Sequence, residues 1–196
     1  MIAILAFGSL LDDPGKELAT AMVEKRPTET PFAVEFARLS ASRGGAPTLA
    51  PVDSGGGTVR ASFLVLDNDV SLQEAKDMLW RRETNKVGSG RGYVKTENPT
   101  AKNVLINDLG QKDDIDHVLF VDYAAVGKLG SPTAEQLADA AVKSAQACTD
   151  GRDGISYLIN AKNNGIVTPL TESFEDEILK RTQTESLAEA RKKITG

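Results

Sequence analysis

The sequence predicts an α+β fold, because strand-like runs crowd its first two-thirds, helix-period runs fill the part after Ser131, and the two do not alternate as a doubly wound sheet requires. The 196 residues are 40% hydrophobic and 26% charged, which suits one folded domain over 1–196 with residues 173–196 as a C-terminal helical extension. There is no internal repeat and no linker long enough to divide the chain.

Ile2 to Phe7 is an apolar run of central-strand length, ended by Gly8-Ser9. It lacks a basic leader and runs into Asp12 and Asp13, so a buried strand is expected rather than a signal peptide. Asp13-Pro14 caps a helix on which Leu18, Met22 and Val23 recur at helical spacing, and Pro27 and Pro31 close it. Ala33 to Ser40 reads as a strand, Arg43 to Pro47 as a glycine and proline rich stretch, and Val59 to Leu66 as a strand stopped by Asp67 and Asn68. Ser71 and Glu74 form a capping box for a helix carrying Leu72, Ala75, Met78 and Leu79 on one face, with Glu83 near its end. Gly88, Gly90 and Gly92 make a loop, and Tyr93 to Glu97, Val104 to Asn107 and His117 to Tyr123 read as strands. Ser131-Pro132 opens a helix, Ile155, Leu158 and Ile159 mark another stopped near Gly165, and a last helix is expected from Ser173 through Leu187 to Ile194.

Composition removes several kinds of chemistry. A net charge of -5 gives no general attraction to nucleic acid or an anionic membrane, and no apolar run approaches the ~20 residues that cross a bilayer. Cys148 is the only cysteine, so no internal disulfide forms, and a soluble protein of a reducing cytoplasm is expected. His117 is the only histidine, which leaves triads and a Cys148-His117 dyad without support. Asp113, Asp114, Asp116 and His117 have ligand atoms but read as a polar turn before a strand, and Asp150 to Gly154 lacks the length of a calcium loop. Neither metal nor cofactor is expected. Glycines 88, 90 and 92 follow a helix and precede a strand, the reverse of a dinucleotide fingerprint, and suit either a flexible lid or wall beside a pocket, with Arg91 facing substrate, or a plain connecting loop.

Two strings retain chemical interest. Gly8-Ser9-Leu10 leaves a strand directly, which on its own reads as an ordinary strand-ending turn, and successive N–H groups in such a turn can make a nest for an anion. Trp80-Arg81-Arg82-Glu83 places a carboxylate where the helix dipole is negative, together with arginines able to pair with it.

Phe7-Gly8-Ser9-Leu10, Arg43-Gly44-Gly45-Ala46-Pro47-Thr48-Leu49 and Leu79-Trp80-Arg81-Arg82-Glu83, with Tyr93 ten positions on, together resemble the gamma-glutamylcyclotransferase-like family over about residues 1 to 165. Arg-Glu and Gly154-Ile155-Ser156-Tyr157-Leu158 are also similar to its glutathione-degrading ChaC branch. The chain departs from the family at Phe7, where a tyrosine is usual, and in the residues ahead of Glu83. The resemblance implies a small mixed β-barrel or strongly curved sheet flanked by helices. It implies a cofactor-independent enzyme, of transferase or lyase type, that cyclises a gamma-glutamyl amide to 5-oxoproline. Glu83 would be the catalytic acid/base, with Phe7, Gly8, Ser9, Leu10, Tyr93 and Arg91 binding substrate. A non-catalytic module that keeps the pocket and binds a small molecule or peptide end is the alternative. The amine portion of the substrate and the oligomeric state stay open.

Overall fold

The computed structural model describes residues 1–148 and 150–196, arranged in two compact units. The first comprises Met1–Thr30 and Arg60–Val126, the second Pro31–Val59 and Gly127–Gly196.

The first unit is built on a mixed five-stranded sheet in the order β2-β5-β1-β7-β6. Its centre is β1 (Ile2–Ala6), in which Ala3 to Ala6 are wholly buried, as a strand covered on both faces must be. β1 pairs antiparallel with β5 (Arg60–Leu66) and parallel with β7 (His117–Tyr123), Ile4 lying opposite both Leu64 and Leu119. β7 carries β6 (Val104–Asp108) on its far side. Helix α2 (Leu72–Glu83) starts where the Ser71 hydroxyl accepts the Glu74 amide, and it buries Ala75, Met78 and Leu79 against Ile4, Leu64, Leu119 and Val121.

Helix α1 (Gly15–Ala21) is shorter than its spacing suggested, because Met22 to Glu29 leave it as strand β2, antiparallel to β5. β2 is an edge of the sheet and carries Lys25, Arg26 and Pro27, residues that suit a strand paired on one side only. With β2 and β6 as separate edges, the sheet is open, so the barrel expectation is corrected. Tyr93 to Glu97 form no strand either; the Tyr93 amide donates to Asp77 Oδ1 instead of to a ladder.

The second unit pairs β3 (Val34–Ser40) with β4 (Ala46–Pro51), a strand hidden in the sequence by its two prolines. Among the described residues four α-helices complete it: α3 (Ala134–Ala147), α4 (Gly154–Asn163), α5 (Thr171–Thr182) and α6 (Leu187–Thr195). Thr133, rather than Ser131, caps α3, in a full capping box with Gln136. α3 and α4 approach closely at Gly154, where an added Cβ would lie 2.8 Å from Ala141 Cα. Phe36 stacks edge-on against Phe174 at 5.2 Å and Tyr157 at 6.3 Å, giving this unit its aromatic centre. The long last helix is two: Gln183 adopts a left-handed cap at φ +52, and Ser186 restarts the helix by accepting the Glu189 amide.

Candidate functional site

The C-terminal end of α2 and the turn after β1 meet through one side chain. Gly8 leaves β1 with φ +59, and Gly8–Leu10 form a single 3-10 turn closed by the Leu11 amide on the Gly8 carbonyl, 3.1 Å, and the Asp13 amide on that of Ser9, 3.0 Å. Arg82 reaches this turn from α2. Its Nη2 donates to the Ser9 carbonyl at 2.9 Å, to Ser9 Oγ at 3.3 Å and to the Asp13 carbonyl at 2.7 Å, and its Nε also donates to Asp13, at 2.9 Å. Gly15, at φ +76, leaves room for the arginine stem, since an added Cβ would stand 3.0 Å from Arg82 Cγ.

The remaining arm of the same guanidinium, Nη1, is hydrogen-bonded to Glu83 Oε1 in an ion pair. Tyr123, at the end of β7, donates its hydroxyl to Glu83 Oε2 at 3.3 Å. Both the Arg82 and the Glu83 side chain retain 13% exposure, so neither is fully buried. A planar five-donor fork suits this bridging task, which a lysine could not perform with the same geometry. The result is an acid fixed between a cation and a phenol, and linked by that cation to the carbonyl oxygens of the turn after β1.

A neighbouring set of contacts fixes the glycine loop. Glu17 accepts Arg81 Nε at 2.7 Å and the Gly88 amide at 2.8 Å, while Arg81 Nη1 donates to the Arg91 carbonyl at 2.8 Å. Burial raises the Glu17 pKa, but the hydrogen bonds from Arg81 and Gly88 and the Arg81 charge outweigh it and hold the group below the usual glutamate value.

The predicted site residues divide accordingly. Ser9 and Glu83 are brought together; Phe7 and Gly8 flank Ser9 in the same turn, and Leu10 turns its side chain into the core. Tyr93 is buried with its hydroxyl accepting the Ile106 amide at 3.2 Å, so its polar tip holds β6. Arg91 contributes its carbonyl to Arg81, and its side chain is exposed. Arg82 and Tyr123 were not singled out by sequence as members of the site. Arg82 appeared only as a neighbour able to pair with Glu83, and Tyr123 only as the end of a strand.

Asp114 pairs with Arg26 and His117 with Asp108, and the described residues contain no group of three or more acidic, histidine or cysteine side chains placed to hold a metal. Among the described residues no helix is long and apolar enough to cross a membrane. No protein family, curated protein or solved structure matches this chain.

Proposed function

We propose that this chain is a gamma-glutamylcyclotransferase-like enzyme, converting a gamma-glutamyl amide or peptide into 5-oxoproline and a free amine without a cofactor. The reading is carried by one observation: Arg82 joins Glu83 to the Ser9 turn, so the two strings that suggested the chemistry share a guanidinium although 73 residues separate Ser9 from Arg82.

In this reaction the nucleophile is already tethered to its target. The substrate's α-amine attacks its own γ-carbonyl carbon, the new C–N bond closes a five-membered ring, and the bond to the leaving amine breaks. Glu83 takes the proton released by the α-amine and returns it to the departing nitrogen. Tyr123 steadies Oε2 while Arg82 holds Oε1, leaving the carboxylate oriented before substrate arrives. The amides that open the Gly8–Leu10 turn would receive the substrate carboxylate or the developing oxyanion.

A second reading, a binding module without turnover, has its own support in the pairing of Glu83 with Arg82 and in Phe7, which lacks the family's hydroxyl. Incubation of the protein with glutathione, gamma-glutamyl amino acids and gamma-glutamylamines, followed by mass spectrometry, separates the two. Free 5-oxoproline is the expected product; a transferred gamma-glutamyl group would indicate acyl transfer instead, and ligand binding without either product would leave the module.

A further inference from the structure

A cavity of about 560 Å³ lies in the first unit, and Glu83 is not among its lining residues. Its walls come from the start of α2, the segment 93–95 and the β6–β7 hairpin, with Lys76 and Lys95 supplying cations and Tyr93, Ile106, Leu109 and Phe120 supplying apolar surface. That volume falls within the ~300–1,000 Å³ range of small-molecule sites.

The walls are held independently of any ligand. Tyr93 is fixed by its amide to Asp77 at 2.7 Å, by its carbonyl accepting Gln73 Nε2 at 3.1 Å, and by its hydroxyl accepting the Ile106 amide at 3.2 Å. Asp108, the acid in the lining, is already engaged: Oδ1 accepts the Gly110 amide at 2.8 Å and Oδ2 contacts His117 Nδ1 at 2.7 Å. Lys76 and Lys95 have no ion-pair partner among the described residues. Two lysines thus line a preformed space whose own carboxylate is engaged by Gly110 and His117.

We infer that this cavity binds a small organic anion, a carboxylate or a phosphate monoester, whose charged head meets Lys76 and Lys95 and whose apolar body lies against Tyr93, Ile106 and Leu109. Cations without a partner give the head its attraction, and the apolar wall distinguishes an aryl or alkyl anion from an inorganic one. The inference is independent of the reaction proposed at Glu83.

The test is an amide NMR titration of the full chain with phenyl phosphate, benzoate, inorganic phosphate and benzyl alcohol. Saturable shifts at Asn107 and Leu109 with phenyl phosphate or benzoate are expected, weaker for inorganic phosphate and absent for the neutral alcohol. The pair Lys76→Gln with Lys95→Gln should weaken binding by about tenfold or more, while Lys102→Gln, outside the lining, should leave it unchanged. Wild-type affinity should also fall with added salt, a readout that needs no variant. Failure of both organic anions to saturate those amides, equal binding of benzyl alcohol, or salt-independent affinity would overturn the inference.

Discussion

Two acids of this protein sit beside an arginine at a helix end, and they differ in almost everything else. Asp153 precedes α4, where its Oδ1 accepts the Ser156 amide at 2.8 Å and its Oδ2 accepts Ser156 Oγ at 2.7 Å and Arg191 Nε at 2.9 Å. Its side chain is 0% exposed, and it lies at the helix end where negative charge is favoured. Glu83 lies at the opposite kind of end, the last residue of α2, where the dipole opposes it, and it keeps an edge open to solvent. The first acid has every feature of a structural cap. The second sits where the dipole opposes its charge and is held by Arg82 and Tyr123, and it is the group to which the proposed reaction assigns the proton transfer.

The contrast can be broken from either side. The largest effect is expected from Glu83→Gln, which should lower turnover by about 10² or more while shifting the thermal midpoint only slightly, since it removes a proton acceptor without opening a cavity. Asp153→Ala should do the reverse, costing about 2–3 kcal/mol in denaturant unfolding through the lost cap and the unpaired Arg191. Arg82→Gln removes the bridge between Glu83 and Ser9 and should reduce turnover by about tenfold or more, with loss of folding short of that caused by Asp153→Ala. Tyr123→Phe is the mildest change, removing one 3.3 Å hydrogen bond; a severalfold loss of turnover with unchanged stability is expected from steady-state kinetics.

Acid titration sharpens the same comparison. Burial raises the Asp153 pKa, but the Ser156 amide, Arg191 and the Ser156 hydroxyl outweigh it and hold the carboxyl below its ordinary value. A depressed folded pKa contributes stability that is fully present above the unfolded aspartate value, about pH 4, and is lost as pH falls through the folded value. The stability difference between wild type and Asp153→Asn should therefore be largest near neutral pH and shrink below about pH 4, as read by denaturant unfolding at stepped pH. A difference independent of pH would remove the ionised carboxylate from its structural role.

Continuous apolar runs and caps were the legible part of the fold. β1, β5 and β7 declare themselves by buried β-branched and aliphatic runs, and Ser71 announces α2 at its observed boundary. β2 was missed because Met22 and Val23 continue the helical period of Leu18, while the strand itself is a polar edge containing Pro27. β4 was missed because Pro47 and Pro51 punctuate it, yet they fall opposite Leu39 and Val34 in a two-stranded ladder where one side of each strand needs no partner. The break between α5 and α6 rests on Gln183 in a left-handed conformation, for which a glutamine gives no warning.

At the site, the residue types were legible and their connections were not. Ser9 and Glu83 stood out by local pattern, but local pattern cannot show that the next residue's side chain, Arg82, reaches back to residues 9 and 13. Tyr93 was marked by the resemblance alone, and that its hydroxyl accepts the Ile106 amide of β6 is a contact that local pattern does not show.

The most direct single measurement is the rate of 5-oxoproline formation by wild type and Glu83→Gln on one gamma-glutamyl substrate, with binding of that substrate measured alongside. A fall in turnover of about 10² or more at retained affinity is the predicted result. Equal turnover in the two proteins would contradict it by taking the proton transfer away from Glu83.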